Sequence, residues 1–202
     1  MTIRVVLADD QALVRGALAA LLSLEEGIDV VGQTGRGEEL VRLVEELHPD
    51  VALVDIEMPG MDGIEATRQI AAALPQVACL IVTTFGRPGY LQRALDAGAR
   101  GFVVKETPAE QLADMVRAVH AGQRVIDPAL ATEALFSGAN PLTEREREIL
   151  RLALNGGTVA DIAARVYLSE GTVRNHLSAA IGKMGVRTRA EAARAARDLG
   201  WL

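Results

Sequence analysis

Asp55 ends the apolar run Val51-Ala52-Leu53-Val54 and is followed by Ile56-Glu57-Met58-Pro59-Gly60, so a carboxylate stands where a buried segment breaks into a loop. The pair Asp9-Asp10 ends the run Ile3 to Ala8, Thr83-Thr84 ends the run Val77 to Val82, and Lys105 follows Gly101 to Val104. Apolar, β-branched runs without alternation suit strands of a parallel sheet covered on both faces, and ligands of such sheets bind beyond the carboxyl ends of the strands. Three acids that converge there repel one another and need a cation. An all-oxygen donor set favours a hard ion, foremost Mg²⁺ with several waters retained. An Asp before a loop is also an ordinary turn or capping residue. Acids, a hydroxyl and a lysine on successive strand ends are less readily explained in that way.

The elements that must position these groups are legible from periodicity. A further run at Ile28 to Gly32 brings the strand-like segments to five, and segments of helical period lie between them at about 11–24, 37–47, 63–74, 89–97 and 108–121. Five strand–helix units predict an α/β, doubly wound, five-stranded parallel sheet. With strand order 2-1-3-4-5, strands one and three are neighbours at the topological switch point, which brings Asp9, Asp10 and Asp55 together.

Composition divides the chain in two. Residues 1–138 carry 11 Lys and Arg against 20 Asp and Glu, a net −9, whereas residues 139–202 carry 10 against 7, a net +3, within a total of −6. The sign change suggests that only the C-terminal part meets a polyanion. Neither a signal-peptide pattern nor a run of roughly 20 apolar residues is present, and a cytoplasmic protein is expected. The single cysteine, Cys79, lies in the fourth apolar run and reads as a small core residue.

Asp9-Asp10, Asp55 with Met58-Pro59-Gly60, Thr83 and Lys105 resemble the receiver domain of two-component response regulators over residues 1–121. The resemblance implies that Asp55 accepts a phosphoryl group from a histidine kinase. It implies too that Asp10, Asp55 and the backbone carbonyl of Glu57 bind Mg²⁺, with Asp9 helping through water. Thr83 and Lys105 would then hold phosphoryl oxygens. Phe102, on the face of its strand opposite Lys105, corresponds to the family's switch aromatic behind Thr83, although ordinary packing explains a buried Phe equally well. Phe85 occupies a position that overlooks the phosphoryl group, where it would shield the acyl phosphate from water.

Residues 122–140 read as a linker with one short helix at about 128–136, and residues 141–202 as four helical segments without strands. Thr143 and Glu146 have the spacing of a capping box, Asn155-Gly156-Gly157 ends the first of these helices, Tyr167-Leu168 is a turn, and Ser169 caps the third helix. At about 100° per residue, Val173, Leu177, Ala180, Ile181 and Met184 share one side of that helix, and Gly171, Arg174, Asn175, Ser178 and Gly182 the other. A narrow polar face without acids suits the major groove, where Arg pairs with guanine and Asn with adenine, while Thr172 and Lys183 are placed for phosphates. The segments Leu142 to Glu146, Asp161 to Ala163, Gly171 to Leu177, Lys183 to Val186 and Arg189 to Ala192 resemble a LuxR-type helix-turn-helix.

Together the two halves are identified as a NarL/FixJ-type response regulator. Residues 55–60, 83–85, 87–90 and 139–143 are similar to the branch paired with a membrane-embedded thermosensing kinase. The resemblance implies a transcription regulator whose partners are a sensor histidine kinase, a double-stranded DNA operator, a second copy of the chain once phosphorylated, and RNA polymerase. At rest the acidic half either masks the basic half or leaves it monomeric. Candidate dimer faces lie on the first and fifth helices at Leu13, Val14, Leu112, Met115 and Val119, and the small residues Ala192, Ala193 and Ala196 serve either pairing on DNA or packing within the domain. No dedicated enzymatic domain is expected. The rivals are an aspartyl-phosphate phosphatase using Glu57 as its acid, and a phosphate-independent DNA-binding protein.

Overall fold

The computed structural model describes residues 2–84, 86–128, 130–132 and 140–202. The chain divides into two compact units. From the N-terminus the elements run β1 (Ile3–Ala8), α1 (Ala12–Ser23), β2 (Ile28–Thr34), α2 (Gly37–Leu47), β3 (Val51–Val54), α3 (Gly63–Ala73), β4 (Ala78–Thr83), α4 (Pro88–Asp96), β5 (Gly101–Val104), α5 (Ala109–His120) and β6 (Val125–Ile126). The strands form one parallel sheet in the order β2-β1-β3-β4-β5-β6.

Every residue of β3 and β4 is buried, as unbroken apolar runs require of strands covered on both faces. Val5, Leu7, Leu53, Leu80, Val82 and Val103 join Leu22, Leu112 and Val116 of α1 and α5 in one core. Leu40 and Val44 of α2, and Ile64 and Ile70 of α3, are buried as well. Cys79 is buried in β4, and burial pushes its thiol up to about 12, consistent with a packing role.

The five-strand expectation needs one correction. A sixth strand, β6, pairs with β5 through Gly101↔Val125 and Phe102↔Ile126, inside the segment read as linker. Two half-buried residues carry no periodic signal, and only the open edge of β5 gives them a partner. A second correction concerns α5. Leu112 and Val119 are buried in the core and Met115 packs against it, whereas α1 and its C-cap leave Leu13 86%, Leu21 44% and Leu24 82% exposed. Of the short helix read at 128–136, residues 128 and 130–132 are helical, and residues 133–139 lie outside the described residues.

The described part of the C-terminal unit forms four helices, α6 (Glu144–Leu154), α7 (Val159–Arg165), α8 (Glu170–Met184) and α9 (Arg189–Asp198). Side chains of Thr143, Thr158, Ser169 and Thr188 cap their N-termini, three of them in full capping boxes. Ile149, Leu150, Ile162, Val173, Leu177 and Ala180 form the core together with Ala192, Ala193 and Ala196. The alanine side of α9 is therefore packing within its own unit. Among the described residues no helix is long and apolar enough to cross a membrane.

Candidate functional site

β1, β3, β4 and β5 end side by side, and their register fixes which side chains meet. The Asp55 N–H donates to the Ala8 carbonyl at 2.8 Å, and the Lys105 N–H donates to the Thr83 carbonyl at 2.8 Å, so the ladder continues one residue past the strands. That extra residue is the functional one in each case. Asp9, Asp10 and Asp55 each bring a carboxylate oxygen within 4.8 Å of the others. Lys105 Nζ lies 2.7 Å from Asp9 Oδ2 and 2.9 Å from Asp55 Oδ2. The second oxygen of Asp55 accepts from the Ile56 N–H at 2.8 Å, and Asp9 Oδ1 accepts from the Gln11 N–H at 2.9 Å.

Asp9 and Asp55 are buried, and Asp10 is exposed at the rim. Burial raises the Asp55 carboxyl above its usual range, and the Lys105 ammonium counters that rise without cancelling it. Burial alone would lower Lys105, but hydrogen bonds to Asp9 and Asp55 hold it above its ordinary value. One ammonium thus serves two buried carboxylates, with a third at the rim. The oxygen-only donor set, the spacing and the remaining negative charge all fit a hard divalent cation.

Thr83 is fully buried at the end of β4, and Phe102 is fully buried on β5 opposite Ile81. Strand alternation puts Thr83 and Phe102 on the same face of the sheet. Glu57 is exposed in the loop after Asp55, and Phe85 lies outside the described residues.

Residues that the motif reading passed over shape this loop. A Cβ at Gly63 would sit 1.9 Å from the Asp55 carbonyl oxygen, so only glycine lets α3 begin this close to the acceptor strand. Asp62 caps α3 by accepting from the Glu65 N–H at 2.7 Å, and Glu38 on α2 accepts from the Met61 N–H at 2.9 Å. The Asp62 to Glu65 spacing is a visible cap signal. Arg15 donates to the Asp9 carbonyl across six residues, for which no sequence signal exists.

In the C-terminal unit the polar side of α8 is presented as expected: Gly171, Arg174, Asn175, Ser178 and Gly182 are exposed, and Thr172 is half-buried beside the Ser169 hydroxyl. Arg174 also pairs with Glu170 one turn earlier at 2.6 Å. Lys183, read as placed for phosphates, reaches with its ammonium both oxygens of the buried Glu146, at 2.9 and 2.7 Å. Glu146 accepts in addition from the Thr143 N–H at 2.7 Å, so the cap of α6 and the last turn of α8 share one carboxylate. Hydrogen bonds from Lys183 and Thr143 outweigh burial and hold the Glu146 carboxyl below its usual range.

Residues 5–117 match the response regulator receiver domain, and residues 140–196 match the luxR family of bacterial regulatory proteins. The chain is 42% identical over 202 residues to the transcriptional regulatory protein DesR of Bacillus subtilis, covering 99% of each. It is 44% identical over 200 residues to the uncharacterized transcriptional regulatory protein YvfU of the same organism, covering 99% of this chain and 100% of that one. Among solved structures it is similar to the response regulator ChrA of a heme-sensing two-component system, with 35% identity, a TM-score of 0.60, and coverage of 100% of this chain and 99% of that one. The response regulator RcsB in complex with DNA is 26% identical with a TM-score of 0.68, covering 100% of both chains. The chain therefore belongs to the NarL/FixJ-type response regulators, which join a receiver domain to a LuxR-type DNA-binding domain.

Proposed function

We propose that Asp55 is the phosphoryl acceptor of a cytoplasmic regulator whose phosphorylation by a sensor histidine kinase promotes dimerisation and sequence-specific DNA binding. The observation that carries this reading is the single ammonium of Lys105 held between Asp9 and Asp55 at 2.7 and 2.9 Å. A carboxylate is a weak nucleophile. Phosphoryl transfer, however, depends on in-line placement and charge neutralisation more than on basicity. A carboxylate oxygen of Asp55 bonds to phosphorus as the phosphorus–nitrogen bond of the kinase phosphohistidine breaks. Lys105 then exchanges part of its contact with Asp9 and Asp55 for a phosphoryl oxygen.

Asp9, Asp10, Asp55 and the Glu57 carbonyl are the groups that would hold Mg²⁺, which when bound offsets the charge on the phosphoryl oxygens. Phosphorylation adds roughly −1.5 to −2 charges, by analogy with other phosphorylated side chains. Thr83 turns its hydroxyl toward that charge, and Phe102, on the same face, fills the space it leaves.

The exposed leucines of α1 and its C-cap, Leu13, Leu21 and Leu24, offer apolar surface for pairing two receivers, with Val14 beside them. Pairing raises the effective concentration of the second DNA-binding domain at a two-part operator. In each domain Arg174 and Asn175 read bases, Thr172 and Ser178 contact the duplex beside them, and Lys183 holds α8 to Glu146. The resemblance carried by residues 55–60, 83–85, 87–90 and 139–143 favours a membrane-embedded kinase as the upstream partner, with RNA polymerase as the downstream one.

The test is sedimentation of the purified chain with Mg²⁺, before and after a small phosphodonor, beside Asp55→Ala. A monomer-to-dimer shift in the wild type alone is expected. A shift that persists in Asp55→Ala would remove the mechanism.

A further inference from the structure

All four helices described in the C-terminal unit end in the same turn. In each, an N–H two or three residues past the last helical one bonds back five positions: Gly157 to the Leu152 carbonyl, Leu168 to Ala163, Val186 to Ile181 and Trp201 to Ala196. This closure forces the penultimate residue into the left-handed region, which glycine fills without steric cost. Three of the four helices use glycine there, Gly156 at φ 84°, Gly185 at φ 65° and Gly200 at φ 71°. The fourth, α7, uses Tyr167 at φ 54°.

A bulky side chain in this conformation is locally unfavourable, and packing does not compensate, because Tyr167 is 94% exposed. Its neighbours are anchored: Val166 is buried and Leu168 packs against the core. The turn would close equally well on glycine, so nothing in the turn itself calls for the phenol. Tyr167 stands two residues before Ser169, the cap of α8, at the end of that helix that enters the groove in helix-turn-helix domains.

We propose that Tyr167 is a DNA-backbone contact, its hydroxyl donating to a phosphate oxygen beside the N-terminus of α8. The assignment rests on α8 being the DNA-reading helix. Tyrosine is among the side chains that contact phosphate, and such a contact positions the helix without reading sequence. Being uncharged, it releases no counterion, which separates it from any Arg or Lys contact.

The experiment uses the full chain with Mg²⁺ and a small phosphodonor, and measures anisotropy with two duplexes, one selected by the wild type from a random library and one scrambled. Tyr167→Gly, which gives α7 the ending of its three neighbours, is expected to melt no lower than the wild type. It should bind both duplexes about tenfold more weakly, the cost of one hydrogen bond to a charged group. The dependence of log Kd on log salt should keep its slope. Tyr167→Phe should lose affinity to the same extent.

Wild-type affinity in Tyr167→Gly, a loss confined to the selected duplex, or full binding by Tyr167→Phe would each overturn the assignment. Normal DNA binding with lost transcription in vitro would also overturn it and place Tyr167 on a protein partner. A lower melting temperature for Tyr167→Gly would make it structural. A wild type that selects no duplex from the library would instead overturn the DNA-reading role of α8.

Discussion

The two units each hold a buried carboxylate against a lysine, with opposite bookkeeping. In the C-terminal unit Glu146 is matched one to one: Lys183 takes both oxygens and the Thr143 N–H takes a further lone pair. In the receiver one Lys105 serves Asp9 and Asp55, with Asp10 at the rim. The shifts follow the balance, Glu146 being held below and Asp55 above the usual carboxylate range. A satisfied pair locks a fold, whereas an unsatisfied cluster keeps a demand for positive charge and a reason to rearrange.

Neutralising the two carboxylates should therefore act in opposite directions. Asp55→Asn is expected to abolish phosphate incorporation, read with a radiolabelled phosphodonor. Without divalent cation it should also melt higher than the wild type. A raised folded-state value means that ionised Asp55 weakens the fold increasingly as pH rises above the unfolded carboxylate value, and the amide removes that loss.

The glycines extend the comparison from charge to space. Gly63→Ala drives a methyl into the Asp55 carbonyl and should destabilise the receiver by about 1–3 kcal/mol in denaturant unfolding. Gly182→Ala on the exposed face of α8 meets nothing within 4 Å and should stabilise its unit by about 0.5–1 kcal/mol. Equal effects from the two would show that the closeness of α3 to the acceptor strand is not what Gly63 provides.

Glu146→Gln should cost about 1–2 kcal/mol, discounted because Lys183 is 35% exposed and partly screened by water. The folded value of Glu146 is depressed. The contribution of the pair is then complete above the unfolded value of about 4.3 and is lost as pH falls through the lower folded one. Thermal melts of the wild type and Glu146→Gln should converge at acid pH and separate toward neutrality.

The smallest effect is expected for Lys183→Met on DNA. Its melting loss should match that of Glu146→Gln without adding to it, and the salt slope of DNA binding should stay unchanged. A slope reduced by about 1 would return Lys183 to the set of phosphate contacts.

Sequence alone determined the strands and most helices of this protein, because apolar runs and helical periods are local and strong. It determined also that Asp9, Asp10, Asp55, Thr83 and Lys105 fall at strand ends, and that Thr143, Ser169 and the polar side of α8 stand where they do. Tertiary structure alone decided the partners. β6 exists because β5 has an open edge, Leu112 and Val119 face inward because α5 lies on the sheet, and Ala192, Ala193 and Ala196 are spent on their own core. Lys183 meets Glu146 across 37 residues, and Gly63 fits under Asp55, through contacts that no local pattern encodes. Tyr167 belongs with these: its sequence reads as an ordinary turn, and only the backbone angle and exposure set it apart from the glycines that end the other three helices.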